Sequence, residues 1–125
     1  GTEHVVFLNK EGKVFTFGLD KDGRLGKPVS LFTKLISFKD TFLSKNSYIY
    51  TPFELRDIPK IVQISCGSNF TFCLSENGIL YSFGVNDKGQ LGIGSDESFY
   101  DSTQRIESLK DIEFIECGGH HTFCK

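Results

Sequence analysis

The stretch "GSNFTFCLSENGILYSFGVNDKGQLG", residues 67–92, decides the fold once "GTEHVVFLNKEGKVFTFGLDKDGRLG", residues 1–26, is set above it. At the constant offset of 66 that carries Gly1 to Gly67, Gly12, Phe17, Gly18, Gly23, Leu25 and Gly26 fall on Gly78, Phe83, Gly84, Gly89, Leu91 and Gly92. A second pair, "ISCGSNFTFC" from Ile64 and "IECGGHHTFC" from Ile115, repeats at an offset of 51. A period near fifty residues marks a solenoid, a propeller or a tandem array, whose units cannot bury their apolar faces alone.

Within one unit the reading is a series of short strands. "KIVQISCG" and "NFTFCLS" are runs of β-branched and aromatic residues. "ENG" between Ser75 and Ile79 is a hairpin signal, because Asn-Gly adopts the primed turn that matches strand twist. "ILYSFG" returns, "NDKGQLG" turns again, and a fourth strand is expected after Ser102. Phe70, Phe72 and Leu74 share one face of their strand, Thr71 and Cys73 the other, so neither face is cleanly polar. Such a sheet suits packing on both sides, which favours radially stacked blades over a sandwich.

The glycines of "YSFGVNDKGQLGIG", residues 81–94, invite a phosphate-binding reading that the spacing rejects. A phosphate loop needs lysine and a hydroxyl residue after its second glycine, where Gln90 and Leu91 stand. The dinucleotide fingerprint needs G-x-G-x-x-G opening a helix, and the order here is G-x-x-G-x-G. "DKDG" from Asp20 begins like a calcium loop but lacks the terminal bidentate glutamate and flanking helices. No cofactor is expected. Gly18, Gly23, Gly26, Gly84, Gly89 and Gly92 are read instead as turn positions and points of close blade approach.

Composition narrows the class further. The 125 residues carry a net charge of −2, which supplies no basic footprint for nucleic acid. No apolar run is long enough for a membrane span or secretory signal within these residues. Thirteen phenylalanines lean the chain toward β structure. Cys66 and Cys73, like Cys117 and Cys124, are spaced C-x6-C, wider than paired zinc ligands, and they are one repeat position used twice. Reduced, structural thiols are expected, and with them a cytoplasmic or nuclear compartment. His4 and His121 share a repeat position, the mark of hydrogen-bonded structural histidines, while His120 lies outside the pattern. No serine elbow or Cys-His-carboxylate order is present, so no catalytic residue and no metal ligand is assigned.

The succession "C-G", then "H-T-F-C", then "N-G-x-x-Y-S-F-G-x-N-D-x-G-Q-L-G" resembles the repeat of the regulator of chromosome condensation family, a seven-bladed β-propeller. The absence of tryptophan argues against WD and kelch blades. The resemblance covers residues 1–26 and 60–125, and departs from the pattern at Phe70, where the repeat has histidine. It implies an all-β fragment of about two blades: part of one repeat in 1–26, an insert in 27–59, a complete repeat in 60–110 and the start of another in 111–125. The remaining blades of such a propeller are then expected as partners for the open faces.

Function follows from surfaces in this reading. The resemblance implies a protein-protein interaction module, or alternatively an exchange factor for a Ran-like small GTPase, which acts by binding the nucleotide-free GTPase more tightly than the loaded form. A photoreceptor role resting on clustered tryptophans is excluded, since there are none. The loops after the "C-G" pairs offer Ser68, Asn69, Gly119 and His120 to a protein partner. In the insert, Leu31, Leu35, Phe38 and Phe42 recur at spacings of four, three and four, the period of a short amphipathic helix, and Leu31, Phe38 and Phe42 are further candidate contacts. "SYIYTPFEL" reads as an edge strand or extended loop.

Overall fold

The computed structural model describes residues 1–28 and 47–125, and the stripe Leu31, Leu35, Phe38, Phe42 with its expected helix lies outside the described residues. Among the described residues every regular element is a β-strand. β1 (His4–Leu8), β2 (Val14–Asp20) and β3 (Ser47–Glu54) form a meander in the order β1-β2-β3. β4 (Ile61–Cys66), β5 (Phe70–Ser75), β6 (Leu80–Val85) and β7 (Phe99–Arg105) form a four-stranded sheet in chain order. β8 (Ile115–Cys117) and β9 (Thr122–Cys124) pair as a short hairpin. "SYIYTPFEL" thus supplies β3, and the strand expected after Ser102 begins three residues earlier, at Phe99.

The two larger sheets share one register, as the 66-residue offset requires. His4 faces Gly18 across β1 and β2, and Phe70 faces Gly84 across β5 and β6. Both glycines have positive φ, +114° at Gly18 and +105° at Gly84. The pairing of the outer strand shifts at the same place in each sheet, between Thr16 and Gly18 and between Ser82 and Gly84. A Cβ on Gly84 would lie 2.7 Å from the Phe70 Cα, so only glycine lets the neighbouring strand approach this closely.

β5 is buried along its whole length, as its two apolar faces require. Phe70, Phe72, Leu74 and Leu80 pack with Leu91, Ile106 and Ile115 toward the β8–β9 side. Cys73 and Phe83 pack with Val14, Leu55 and Ile61 toward the first sheet. Each face of the complete sheet is therefore the core between it and a neighbour, the arrangement of stacked blades.

Side chains tie the blades together as well. Gln63 on β4 donates from Nε2 to the Ile115 carbonyl at 2.7 Å and accepts the Ile115 N–H at 3.1 Å. The Ser65 hydroxyl accepts the Cys117 N–H at 2.9 Å. These two polar side chains satisfy backbone groups of β8 that would otherwise be orphaned at a sheet edge.

Candidate functional site

The strand directions place the turns after β4 and β8 at the same end of the blades as the Gly-rich loops after β2 and β6. At the turn joining β4 to β5, the Gly67 N–H donates to the Phe70 carbonyl at 2.9 Å, and at its counterpart the Gly118 N–H donates to the His121 carbonyl at 2.8 Å. A Cβ on Gly67 would run into the Phe70 ring, and one on Gly118 into the His121 ring. Phe70, the departure from the repeat, therefore fills the place that His121 fills in its own turn. The turns are chained sideways too: the Thr2 N–H donates to the Ser68 carbonyl at 2.9 Å, and the Ser68 N–H to the Gly119 carbonyl at 3.1 Å.

Thr2, Cys66, Ser68, Cys117 and Gly119 line an open depression of about 350 Å³ on this end. Ser68 and Asn69 are half-buried, while Gly119 and His120 are exposed. The Asn69 carbonyl is occupied by the Val85 N–H at 2.9 Å, which leaves its side chain as the part available to a partner. His120 is set apart from Ser68, in a neighbouring groove of about 340 Å³ with Lys88, Gln90 and Leu109. The structure thus brings Ser68 and Gly119 together and places His120 beside them on another wall.

The Gly-rich loop cradles its own backbone. The Asn86 amide donates to the carbonyls of Ser95 at 3.1 Å and Glu97 at 2.9 Å, and its oxygen accepts the Leu91 N–H at 3.1 Å. From the strands below, the Ser82 hydroxyl donates to the Leu91 carbonyl at 3.1 Å, and Thr16 donates to the counterpart Leu25 carbonyl at 2.8 Å. Close approach holds for one copy of the loop only. A Cβ on Gly23 would meet the Tyr100 carbonyl and lie 2.7 Å from the Asp101 nitrogen, and one on Gly26 would touch the Phe83 ring at 3.0 Å. Among the described residues, nothing lies within 4 Å of a Cβ placed on Gly89 or Gly92.

The titratable groups are built into seams. His4 is buried, with its Nε2 3.1 Å from the Thr71 hydroxyl across the first seam and its Nδ1 without a partner among the described residues. Burial, then the amino terminus and the Arg24 guanidinium, push its pKa down to about 4. His121, at the same repeat position, is exposed. All four cysteines are free thiols. Burial raises the Cys73 thiol far above its ordinary value, and burial also raises Cys117 against opposing hydrogen bonds from Ser65 and Thr122. No group of three or more His, Cys, Asp or Glu that could hold a metal occurs among the described residues. No described helix is long and apolar enough to cross a membrane.

Three contributors escaped the sequence reading: Gln63, Ser65 and Arg24. The first two carried a faint signal, polar residues two apart on one face of "IVQISC". Arg24 takes the place of Gln90 and is 3% exposed, its guanidinium 3.3 Å from Glu3 and 3.6 Å from Asp22.

Repeated antiparallel sheets stacked face to face, with corresponding loops gathered at one end, define a β-propeller repeat protein. The model of the regulator of chromosome condensation (RCC1) repeat matches residues 11–74 and 77–124. The chain belongs to the regulator of chromosome condensation repeat family. It is 33% identical over 98% of its length to a human protein described as probable E3 ubiquitin-protein ligase HERC6, of which it spans 11%. It is 30% identical over 99% of its length to human regulator of chromosome condensation, spanning 31% of that protein. Among solved structures, Prp20p from Saccharomyces cerevisiae, studied for its binding to Gsp1p and histones, superposes with a TM-score of 0.82 at 25% identity, over 98% of this chain and 28% of that one. The chain therefore spans less than a third of these relatives.

Proposed function

We propose that this chain is a protein-recognition segment of an RCC-type propeller, with the end that carries Ser68, Asn69, Gly119 and His120 as its contact face. The observation that carries the reading is the backbone chain Thr2 to Ser68 to Gly119, which fixes the turns of successive blades side by side. A face held by main-chain bonds keeps its shape while its side chains vary, and this suits a module whose partner is set by a few exposed groups. Hydroxyl, amide and imidazole groups on that face offer hydrogen bonds and little charge. The free thiols support a cytoplasmic or nuclear setting.

A small GTPase is the partner class favoured by the likeness to Prp20p, whose binding to Gsp1p is on record. Exchange would need this face to hold the nucleotide-free GTPase more tightly than the loaded form. The test is release of a fluorescent GDP analogue from a panel of small GTPases, run with the longest polypeptide that contains this chain, alongside direct binding. Acceleration of about a hundredfold, or roughly 2.7 kcal/mol off the barrier, establishes exchange. Binding without acceleration, weakened by Ser68→Arg and His120→Glu, establishes recognition alone. Binding that ignores both substitutions removes this face from the reading.

A further inference from the structure

The hairpin tips at the end of the blades opposite the contact face match in fold and differ in chemistry. The tip is Glu11–Gly12 in the first sheet and Asn77–Gly78 in the second, and both glycines have positive φ, +82° and +71°. Each tip is also a blade seam. The Gly12 carbonyl accepts the Ile61 N–H at 2.9 Å, and the Gly78 carbonyl accepts the Ile112 N–H at 3.1 Å. A Cβ on Gly78 would stand 3.0 Å from both the Asp111 Cα and the Ile112 nitrogen, so the chain passes close there.

A side-chain amide followed by glycine is a reactive pair. The glycine nitrogen closes a five-membered ring on the preceding side-chain carbonyl, and with no Cβ nothing crowds its approach. Asn77 is exposed at its turn tip. The other described asparagines are each followed by a bulkier residue, and two of them are tied down. The Asn9 Oδ1 accepts the Glu11 and Lys13 N–H groups at 3.0 and 2.9 Å, and Asn86, 4% exposed, spends its amide on the Ser95 and Glu97 carbonyls. Asn69 precedes the buried ring of Phe70. At rest the Gly78 N–H donates to the Ser75 carbonyl at 3.0 Å, so ring closure waits on opening of that turn bond, at a solvent-exposed tip where local opening costs least. Glu11, at the same place in the first tip, is inert in this chemistry because an amide nitrogen does not attack an ionised carboxylate.

We propose that Asn77 is a self-modification site whose conversion to an isoaspartyl residue loosens the seam between the second and third sheets. The Gly78 nitrogen bonds to the Asn77 Cγ, the Cγ–Nδ2 bond breaks, and ammonia leaves with the proton from Gly78. Water then opens the cyclic imide. Cleavage on the Cγ side leaves an aspartyl residue, and cleavage at the backbone carbonyl leaves an isoaspartyl residue, whose main chain runs through Cβ and is one atom longer. The added atom displaces the Gly78 carbonyl from the Ile112 N–H, while the Gly12 to Ile61 seam is spared because its tip carries Glu11. Either product also places a new carboxylate in the groove that Asn77 shares with Arg105, Lys110 and Asp111. The isoaspartyl carboxylate is the group that an S-adenosylmethionine-dependent isoaspartyl methyltransferase esterifies, and this gives the site its enzymatic partner class.

Incubation of the longest polypeptide that contains this chain, in mildly alkaline and in mildly acidic buffer, tests this by peptide mapping. Exchange of ammonia for water at Asn77 is expected to run at least about tenfold faster than at any other asparagine of the 125 residues, and to slow in acid, where the attacking nitrogen stays protonated. The peptide spanning residue 77 is expected to take up methyl groups from an isoaspartyl methyltransferase, and Asn77→Glu, which copies the first tip, is expected to abolish that uptake. Conversion no faster at Asn77 than at Asn9 or Asn69, or no methyl uptake by that peptide, overturns the proposal. The seam is read separately by hydrogen exchange. The Ile112 amide is expected to exchange at least about tenfold faster in the converted fraction, with the Ile61 amide unchanged. Equal protection of Ile112 before and after conversion overturns the link between the modification and the seam.

Discussion

Gly23 and Gly89 hold the same place in two copies of one loop, and only the first is covered. The loop around Gly23 lies against the backbone of Tyr100 and Asp101 in the next sheet, and Gly26 beside it touches the Phe83 ring. Around Gly89 and Gly92 no described residue comes within 4 Å of a Cβ. Yet the backbone conformations match, with φ of +72° and +61° in the first loop and +70° and +66° in the second. The loop's shape is therefore set locally, by turn chemistry and by the Thr16 and Ser82 hydroxyls beneath it. Its packing role is conferred by whatever stands next to it. One glycine pattern serves two physical purposes, and the comparison separates them.

The largest expected effect lies where both purposes coincide. Gly84→Val adds a branched side chain at φ +105° and drives a Cβ to 2.7 Å from the Phe70 Cα, in the middle of the complete sheet. A loss of about 3 kcal/mol is expected, read as a drop in denaturation midpoint without a change in slope. Gly23→Ala against Gly89→Ala then isolates the packing share. Both place a Cβ at positive φ, which costs about 1 kcal/mol, but only the first also forces the Tyr100 backbone aside. Gly23→Ala should cost about 2 kcal/mol more than Gly89→Ala in the 125-residue chain. Equal losses would mean that the seam yields and that the comparison rests on backbone strain alone.

His4 and Phe70 sharpen the same contrast through pH. His4 has a folded pKa of about 4 against an ordinary 6.5, so the folded state binds the proton less well than the unfolded one. The stability this neutral, buried ring contributes is complete above pH 6.5 and is lost as pH falls from 6.5 toward 4. The loss should approach about 3 kcal/mol across that window, an order-of-magnitude figure from linkage. Phe70 fills the counterpart place without a titrating group, so His4→Phe should flatten this limb while changing stability at pH 7.5 by about 1 kcal/mol or less. The substitution loses the Thr71 contact and also removes the unpartnered Nδ1, and these effects oppose each other. An acid limb that persists in the variant would place its cause in the carboxylates.

How much of this was legible depended on whether the cause lay within one repeat. The hairpin at Asn77–Gly78 and the strand–turn–strand order are local, and spacing revealed them, although the turn is not the expected primed one: Gly78 has φ +71°, Asn77 is not left-handed, and the Gly78 N–H donates to the Ser75 carbonyl at 3.0 Å. The start of β7 was less clear because Phe99 is exposed and Asp101 to Thr103 lie where pairing shifts opposite Phe83, so a polar, bulged stretch reads as loop. The Tyr100 and Phe83 contacts of Gly23 and Gly26 could not be read from their own loop, since "DGRLG" and "KGQLG" carry one pattern in different company. Gln63 was also missed: an amide in a strand says nothing about the backbone 52 residues away that it satisfies. In the candidate site, the grouping of Ser68 with Gly119 could be read from the offset of 51, whereas the separate groove of His120 depends on how the third sheet leans on the second.

The smallest expected effect compares the two seams on the opposite end of the blades. There the Ile61 N–H donates to the Gly12 carbonyl at 2.9 Å, and its counterpart, the Ile112 N–H, donates to the Gly78 carbonyl at 3.1 Å. The residue before each isoleucine differs in backbone: Asp111 takes φ +55°, while Lys60 is not left-handed. Aspartate tolerates that region better than most side chains but still carries a steric cost that glycine avoids. Against this, glycine gains freedom in the unfolded chain, which offsets part of the relief. Asp111→Gly should therefore raise stability by about 0.5 kcal/mol, while Lys60→Gly, made where no left-handed strain exists, should lower it by a similar amount. Opposite signs from the same substitution at equivalent positions would locate residual strain at the second seam. Like signs would show that the two seams carry the same backbone load and differ only in sequence.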